Sequence, residues 1–162
     1  MKIYTIGHST RSLEEFLDIL KHFKIELVVD VRRFPSSKKF PWFNKEGLEL
    51  ELNKDKINYI HFSELGGYRE EVYEKFSQSE EFFQALNKLI EMMDDKKAAI
   101  MCAENFWWRC HRKYIAKALV ERKLEVIHIL GKEKTQQYKL KEKEIEEKMN
   151  LKIWCDKIKK SK

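Results

Sequence analysis

A chain of 162 residues suits one domain, large enough to bury roughly two-thirds of its unfolded surface. With 43% hydrophobic and 37% charged residues, two prolines and five glycines, the composition excludes long linkers and extended disorder. The net charge of +6 is moderate and sits partly in the terminal "KIKKSK", so it does not by itself indicate nucleic acid.

In chain order, "KIYTI", "ELVVDV", "INYIHF", "KAAIMCA" and "EVIHIL" are short runs rich in β-branched and aromatic residues, and they read as five strands. Helical spacing separates them. After Ser12, residues Leu13, Phe16, Leu17, Leu20 and Phe23 share a face, and Ser12 with Glu15 has capping-box spacing. Ser79 is placed to cap a second helix that buries Phe82, Phe83, Leu86, Leu89, Ile90 and Met93. A third helix runs from about His111 to Arg122 and buries Tyr114, Ile115, Ala118 and Leu119. The connection from Phe34 to Lys56 is longer, aromatic and basic, with room for one helix. A charged surface helix is expected over about Thr135 to Met149. The expected organisation is a single α/β domain over residues 1–150 and a basic tail over 151–162.

Strand-helix alternation with near-continuous apolar strands implies an open, mostly parallel five-stranded sheet covered by helices on both faces, a Rossmann-like arrangement. An order of 3-2-1-4-5 would make strands two, one and four neighbours. Ligands of such sheets sit outside the carboxyl ends of the strands. Four strand ends here are unusual: "GHSTR" (Gly7 to Arg11), "DVRRFP" (Asp30 to Pro35), "SELGGYR" (Ser63 to Arg69) and "CAENFWWRCHR" (Cys102 to Arg112). His8, Asp30, Arg32, Cys102, Glu104 and Cys110 are therefore expected to converge on one crevice. The motifs "IGHST", "VDVRRFP", "LGGYRE" and "CAENFWWRCHR", in this order, resemble the domain-of-unknown-function 488 family, also called YeaO-like, over roughly residues 3 to 130. The resemblance implies a small prokaryotic α/β domain and no established activity, so the chemistry rests on the residues.

Those residues support several readings. Cys102, Cys110, His111, His8 and Asp30 are competent ligands for a divalent metal, but structural zinc takes cysteines in tighter pairs than the seven-residue gap found here. A thiol nucleophile is a second reading. Cys102 ends a buried strand, whereas Cys110 opens a helix between Arg109 and Arg112, where a thiolate is favoured; His8 or His111 would take the proton. An anion cradle is a third, formed by Ser9 and Thr10 beside Arg11, Arg32, Arg33, Arg69, Arg109, His111 and Arg112. Trp42, Trp107 and Trp108, interleaved with cations, are candidate stacking platforms for a base. Asp30 could equally align Arg32, and His61 and His128 read as core histidines.

The best-supported expectation is an enzyme acting on a phosphate-bearing or nucleic-acid-derived substrate. Glu104 or His8 would be the acid or base and a cysteine the nucleophile. A non-catalytic nucleotide or single-stranded nucleic-acid binder stands second, and a metal-dependent enzyme third. No apolar run approaches the ~20 residues that cross a bilayer, and Met1 leads directly into a strand with no signal peptide. Three cysteines in a chain of this kind do not suggest a disulfide scaffold, so a cytoplasmic protein without a membrane partner is expected.

Overall fold

In the computed structural model, which describes residues 1–68 and 72–161, local chemistry starts two helices where the sequence predicts. Ser12 Oγ accepts the Glu15 N–H at 3.1 Å and opens helix α1 (Leu13–His22). Ser79 Oγ accepts the Phe82 N–H at 3.1 Å; with strand β1 (Lys2–Gly7) and strand β2 (Leu27–Asp30) before it, and helix α2 (Lys45–Lys54), strand β3 (Asn58–His61) and the short helix α3 (Tyr73–Phe76) between, it opens helix α4 (Glu80–Met93). Strand β4 (Ala98–Cys102), helix α5 (Arg112–Glu121), strands β5 (Glu125–Gly131) and β6 (Lys134–Gln137), and helix α6 (Glu142–Lys160) follow.

Side-chain alternation along the strands divides the core into two layers. Tyr4, Ile6, Val28, Ala99 and Met101 face α1 and α2, meeting Phe16, Leu20, Phe43, Leu48 and Leu52. Ile3, Leu27, Val29, Ala98, Ile100 and Cys102 face α4 and α5, meeting Phe82, Leu86, Leu89, Ile115 and Leu119. Each fully buried Leu, Ile or Phe contributes about 1.5–3 kcal/mol of hydrophobic stabilisation. The fold is the expected open, mostly parallel α/β sheet with helices on both faces.

Three details differ from the sequence reading. The strand order is β3-β2-β4-β1-β5-β6, so β4, and not β1, lies beside β2. Both strands are interior, β4 between β2 and β1 and β1 between β4 and β5, and both are near-continuous buried runs, so their apolar patterns do not distinguish the two orders. The sheet also has a sixth strand among the described residues, β6, paired antiparallel to β5. Its sequence "KTQQ" is exposed throughout and carries no apolar alternation to betray a strand. The terminal helix accordingly begins later than expected, at Glu142, and runs to Lys160 with no buried residue. A 3.3 Å ion pair between Lys117 and Glu144 and a 2.9 Å bond from Lys148 Nζ to the Glu121 carbonyl hold it against α5.

Gly7 ends β1 opposite Cys102, and the chain after β4 crosses directly over it. A Cβ at Gly7 would collide with the carbonyl of Glu104 and the backbone of Asn105, which cannot swing aside as a flexible side chain could. Gly47 lies in the interior of α2 with open space around it. Gly7→Ala should therefore lower stability by about 1–3 kcal/mol through overpacking. Gly47→Ala should raise it by roughly 0.5–1 kcal/mol by removing a helix-interior glycine. Thermal melts of the two variants check the opposite signs.

Candidate functional site

The adjacency of β1 and β4 brings two strand ends together. Their pairing continues past the strands, with His8 N–H donating to the Cys102 carbonyl and Ser9 N–H to that of Ala103, both at 2.9 Å. Ser9 then takes a positive φ of 49°, a conformation that non-glycine residues adopt at a cost, and turns the chain toward α1.

Two buried arginines fix the loop between β4 and α5. Arg112, only 1% exposed, donates from Nη1 to Thr5 Oγ1 at 3.2 Å and from Nη2 to the carbonyls of Glu104 and Asn105. Arg11 donates to the carbonyls of Gly7 and Leu130 and to Asn105 Oδ1. Both guanidiniums satisfy loop carbonyls that no strand or helix would pair. Neither lines the cleft described below, so the anion-binding expectation for Arg11 and Arg112 is replaced by loop support.

On the other side, Asp30 is completely buried and holds Arg32. Its carboxylate accepts from Arg32 Nε and Nη2, from the Arg32 backbone N–H and from the Tyr59 hydroxyl, at 2.6–3.1 Å. Burial opposes the charge on Arg32, but the hydrogen bond to Asp30, the Asp30 charge and Tyr59 together outweigh it and raise its affinity for the proton. Burial, followed by the Asp30 charge, keeps the Tyr59 hydroxyl protonated well above its ordinary range. With every acceptor site engaged, Asp30 acts as the anchor of Arg32 and does not line the cleft. Arg32 Nη1 reaches His8 Nε2 at 3.4 Å, while His8 Nδ1 donates to the Ser9 carbonyl at 2.9 Å and its ring stacks on Phe43 at 4.3 Å. Burial lowers the His8 pKa to about 4, so the imidazole is neutral with its Nε2 lone pair turned to the site.

The two thiols meet at the floor. Cys102 Sγ lies 2.8 Å from Cys110 Sγ, and both side chains are buried. Cys110 Sγ also accepts the Arg112 backbone N–H at 3.5 Å and has His111 Nδ1 at 3.5 Å. The hydrogen bond from Cys102, then His111 and the Arg112 charge, pull the Cys110 thiol well below its ordinary range against the opposing effect of burial. Burial pushes Cys102 up, as does sharing its proton with Cys110. The Cys110 sulfur thus takes the place at the N-terminus of α5, where it accepts the Arg112 N–H.

These groups open into a cleft of about 820 Å³. His8, Ser9, Thr10, Arg32, Cys102, Glu104, Cys110 and His111 line it, and Arg33 and Arg109 stand at its rim with Lys39. Glu104 is exposed at the edge, where its Oε1 accepts the Phe106 N–H. His111 packs under Gly67, where any side chain would meet its Nδ1. Its Nε2 has no hydrogen-bond partner among the described residues. Arg69 lies outside the described residues.

The three tryptophans singled out in the sequence do not line this cleft. Trp42 donates to the Arg11 carbonyl at 3.1 Å, and Trp107 stacks on the buried His128 at 4.3 Å and donates to Gln136 Oε1. Trp108 packs on Phe106 and lines a separate, charged groove between α5 and α6. The aromatic rings of the cleft are those of Phe34, Phe40, Tyr68 and Tyr73. Ser36, Ser37 and Lys39 complete it from the irregular connection after β2, which offers no period from which to place them. Among the described residues, no three His, Cys, Asp or Glu side chains are grouped to hold a metal ion. No helix among them is long and apolar enough to cross a membrane.

The buried histidines set a pH dependence. Burial lowers His8 from 6.5 to about 4 and, followed by the nearby Arg112 charge, lowers His128 from 6.5 to about 3. Between these values the unfolded chain binds more protons than the folded one, so stability falls as pH drops below 6.5 and is retained in full above it. Thermal midpoints measured from pH 7 down to about 4 should decline, and His8→Asn should decline with a shallower slope because one of the two groups is gone.

No curated protein and no solved structure matches this chain. A family model described as "Domain of unknown function DUF488" matches residues 12–119. That span takes in α1, the second and fourth strands, and the loop carrying both cleft cysteines. The chain belongs to the DUF488 family.

Proposed function

We propose that the protein is a thiol-dependent enzyme acting on a phosphate-bearing substrate, small or nucleic-acid-derived, with Cys110 as its nucleophile. The observation that carries this reading is the convergence of the Cys102 thiol, the Arg112 N–H and His111 Nδ1 on one cleft-lining sulfur, at 2.8, 3.5 and 3.5 Å. Donors aimed at a sulfur stabilise its thiolate, the form that attacks electrophiles. Cys102 is the weaker nucleophile of the pair because burial keeps its proton on, and it serves as donor.

In this reading Arg33, Lys39 and Arg109 hold the substrate's anionic group at the rim, where guanidinium forks suit phosphate. Cys110 forms a bond to the electrophilic atom, and the leaving group departs with a proton carried by His111. Water then cleaves the covalent adduct and restores the thiolate, with His8 Nε2 or Glu104 accepting the proton of that water. The proposed location is the cytoplasm, whose reducing conditions keep both thiols free.

A second reading, a non-catalytic nucleotide or single-stranded nucleic-acid binder, is favoured by the rim aromatics. Phe34 is 65% exposed and Tyr68 is 90% exposed beside Arg33 and Lys39, and an exposed ring next to a cation suits base stacking. The metal-dependent reading has no ligand group among the described residues to build on.

Alkylation separates the first two. Iodoacetamide applied from pH 5 upward, with peptide mass mapping, should label Cys110 at a far lower pH than the exposed Cys155. Equal reactivity of Cys110 and Cys155 throughout would remove the nucleophile and leave the binder. Against a panel of nucleotides and oligonucleotides, Arg33→Ala and Arg109→Ala should each weaken binding by roughly tenfold or more, the loss expected for one charge-assisted contact.

A further inference from the structure

We infer that Cys102 and Cys110 are a redox couple that takes a hydroperoxide as electron acceptor and closes into an intramolecular disulfide. The inference rests on the reading of Cys110 as a nucleophilic thiolate and extends it to the regulation of the same site. Its basis is geometric. The two sulfurs are 2.8 Å apart, less than an ångström beyond the ~2.05 Å of a disulfide bond, although seven residues separate the cysteines in sequence.

The backbone holds them there. Cys102 is fixed by the His8 N–H on its carbonyl, and the intervening loop by the Arg112 guanidinium on Glu104 and Asn105. Cys110 is fixed by its own N–H on the Trp107 carbonyl and by the Arg112 N–H on its sulfur. Bond formation therefore requires a short approach of two side chains and no rearrangement of the loop.

Access selects the oxidant. Cys110 is 8% exposed and lines the cleft, so a small molecule entering the cleft reaches it while a bulky protein thiol does not. In the first step the Cys110 thiolate attacks one oxygen of the hydroperoxide. An S–O bond forms, the O–O bond breaks, and the departing oxygen takes a proton and leaves as water or alcohol. In the second, the Cys102 sulfur gives up its proton and attacks Cys110 Sγ. The S–S bond forms, the S–O bond breaks, and the hydroxyl leaves with that proton as water. Two equivalents of a small-molecule thiol return the pair to the dithiol through a mixed disulfide, and are themselves oxidised to their disulfide. Oxidation removes the thiolate from the cleft floor, and so stops the chemistry proposed above.

The test uses the full-length, fully reduced protein and equimolar hydrogen peroxide, with peptide mass mapping before and after dithiothreitol. The expected product has lost two hydrogen masses, contains a Cys102–Cys110 cross-linked peptide pair, leaves Cys155 free and reverts on reduction. Cys102→Ser should instead trap a sulfenic acid on Cys110, captured by dimedone, and Cys110→Ser should leave Cys102 unoxidised at the same dose. Cys102→Ala, an apolar replacement suited to a buried position, gives the same readout should the serine variant fail to fold.

Absence of the cross-link, oxidation located mainly on Cys155, or a Cys102→Ser protein that gives no dimedone adduct would each overturn the inference. Iodoacetamide labelling of Cys110 at low pH without any cross-link would overturn the redox couple alone and leave the nucleophile standing. A reversible cross-link without low-pH labelling would support the couple and remove the nucleophile.

Discussion

The guanidinium of Arg112 lies out of water between β1 and the loop that follows β4, and the geometry of the cleft depends on it. A buried cation is costly unless its donors are met, and here Nη1 is met by Thr5 on the sheet and Nη2 by two carbonyls of the loop, while Nε has no hydrogen-bond partner among the described residues. The same residue opens α5, so its backbone N–H is free to reach Cys110 Sγ. One residue thus ties strand, loop and helix together and directs both a hydrogen bond and a charge toward the sulfur. Thr5 passes the connection on, since its hydroxyl, receiving from Arg112, lies 2.6 Å from His128 Nδ1. The stack of Trp107 on that histidine closes the back of the loop.

A parallel arrangement operates across the cleft. Asp30 and Arg32 form a buried pair in which the carboxylate is fully engaged by Arg32 and Tyr59, and Arg32 also donates to the Phe43 carbonyl. Such a pair contributes little net stability, because desolvation offsets most of its attraction. Its role here is directional: it aims Nη1 at His8 and keeps a positive charge beside that ring. With burial, this keeps the imidazole neutral. The cleft therefore has two differently tuned walls, one holding an imidazole that burial keeps neutral and the other a sulfur whose proton affinity its hydrogen-bond donors lower.

Much of this was legible in the sequence wherever a local rule decides the outcome. Ser12 and Ser79 mark helix starts because the cap is a contact within one turn, and strand ends mark the cleft because parallel sheets present ligands there. His8, Cys102 and Cys110 were found in that way. Strand order was not legible from neighbouring motifs, because β1 and β4 are both interior strands with near-continuous buried runs, and neither pattern says which of them lies beside β2. Arg11 and Arg112 suggested an anion site by their type, but the unpaired carbonyls of a loop were the stronger demand. Trp107 suggested a stacking platform, and it is one, though its partner is His128 within the protein. Lys39 stood out beside the aromatics of the connection after β2, but Ser36 and Ser37 belong to a stretch without period, so nothing in their spacing announced them.

The central position of β4 has a consequence for how the molecule comes apart. Sheets open from their edges, and here the edges are β3, with its partly exposed residues, and the fully exposed β6. Transient opening at either edge leaves the seam between β4 and β1 paired, because each strand still has a neighbour on both sides. The amides of that seam are therefore expected to be among the last to exchange with solvent. The loop bearing both sulfurs is rooted in that seam, so the thiols are reached from the cleft and not through breathing of the fold. Their chemistry is governed by what fits the opening, largely independent of how often the sheet frays.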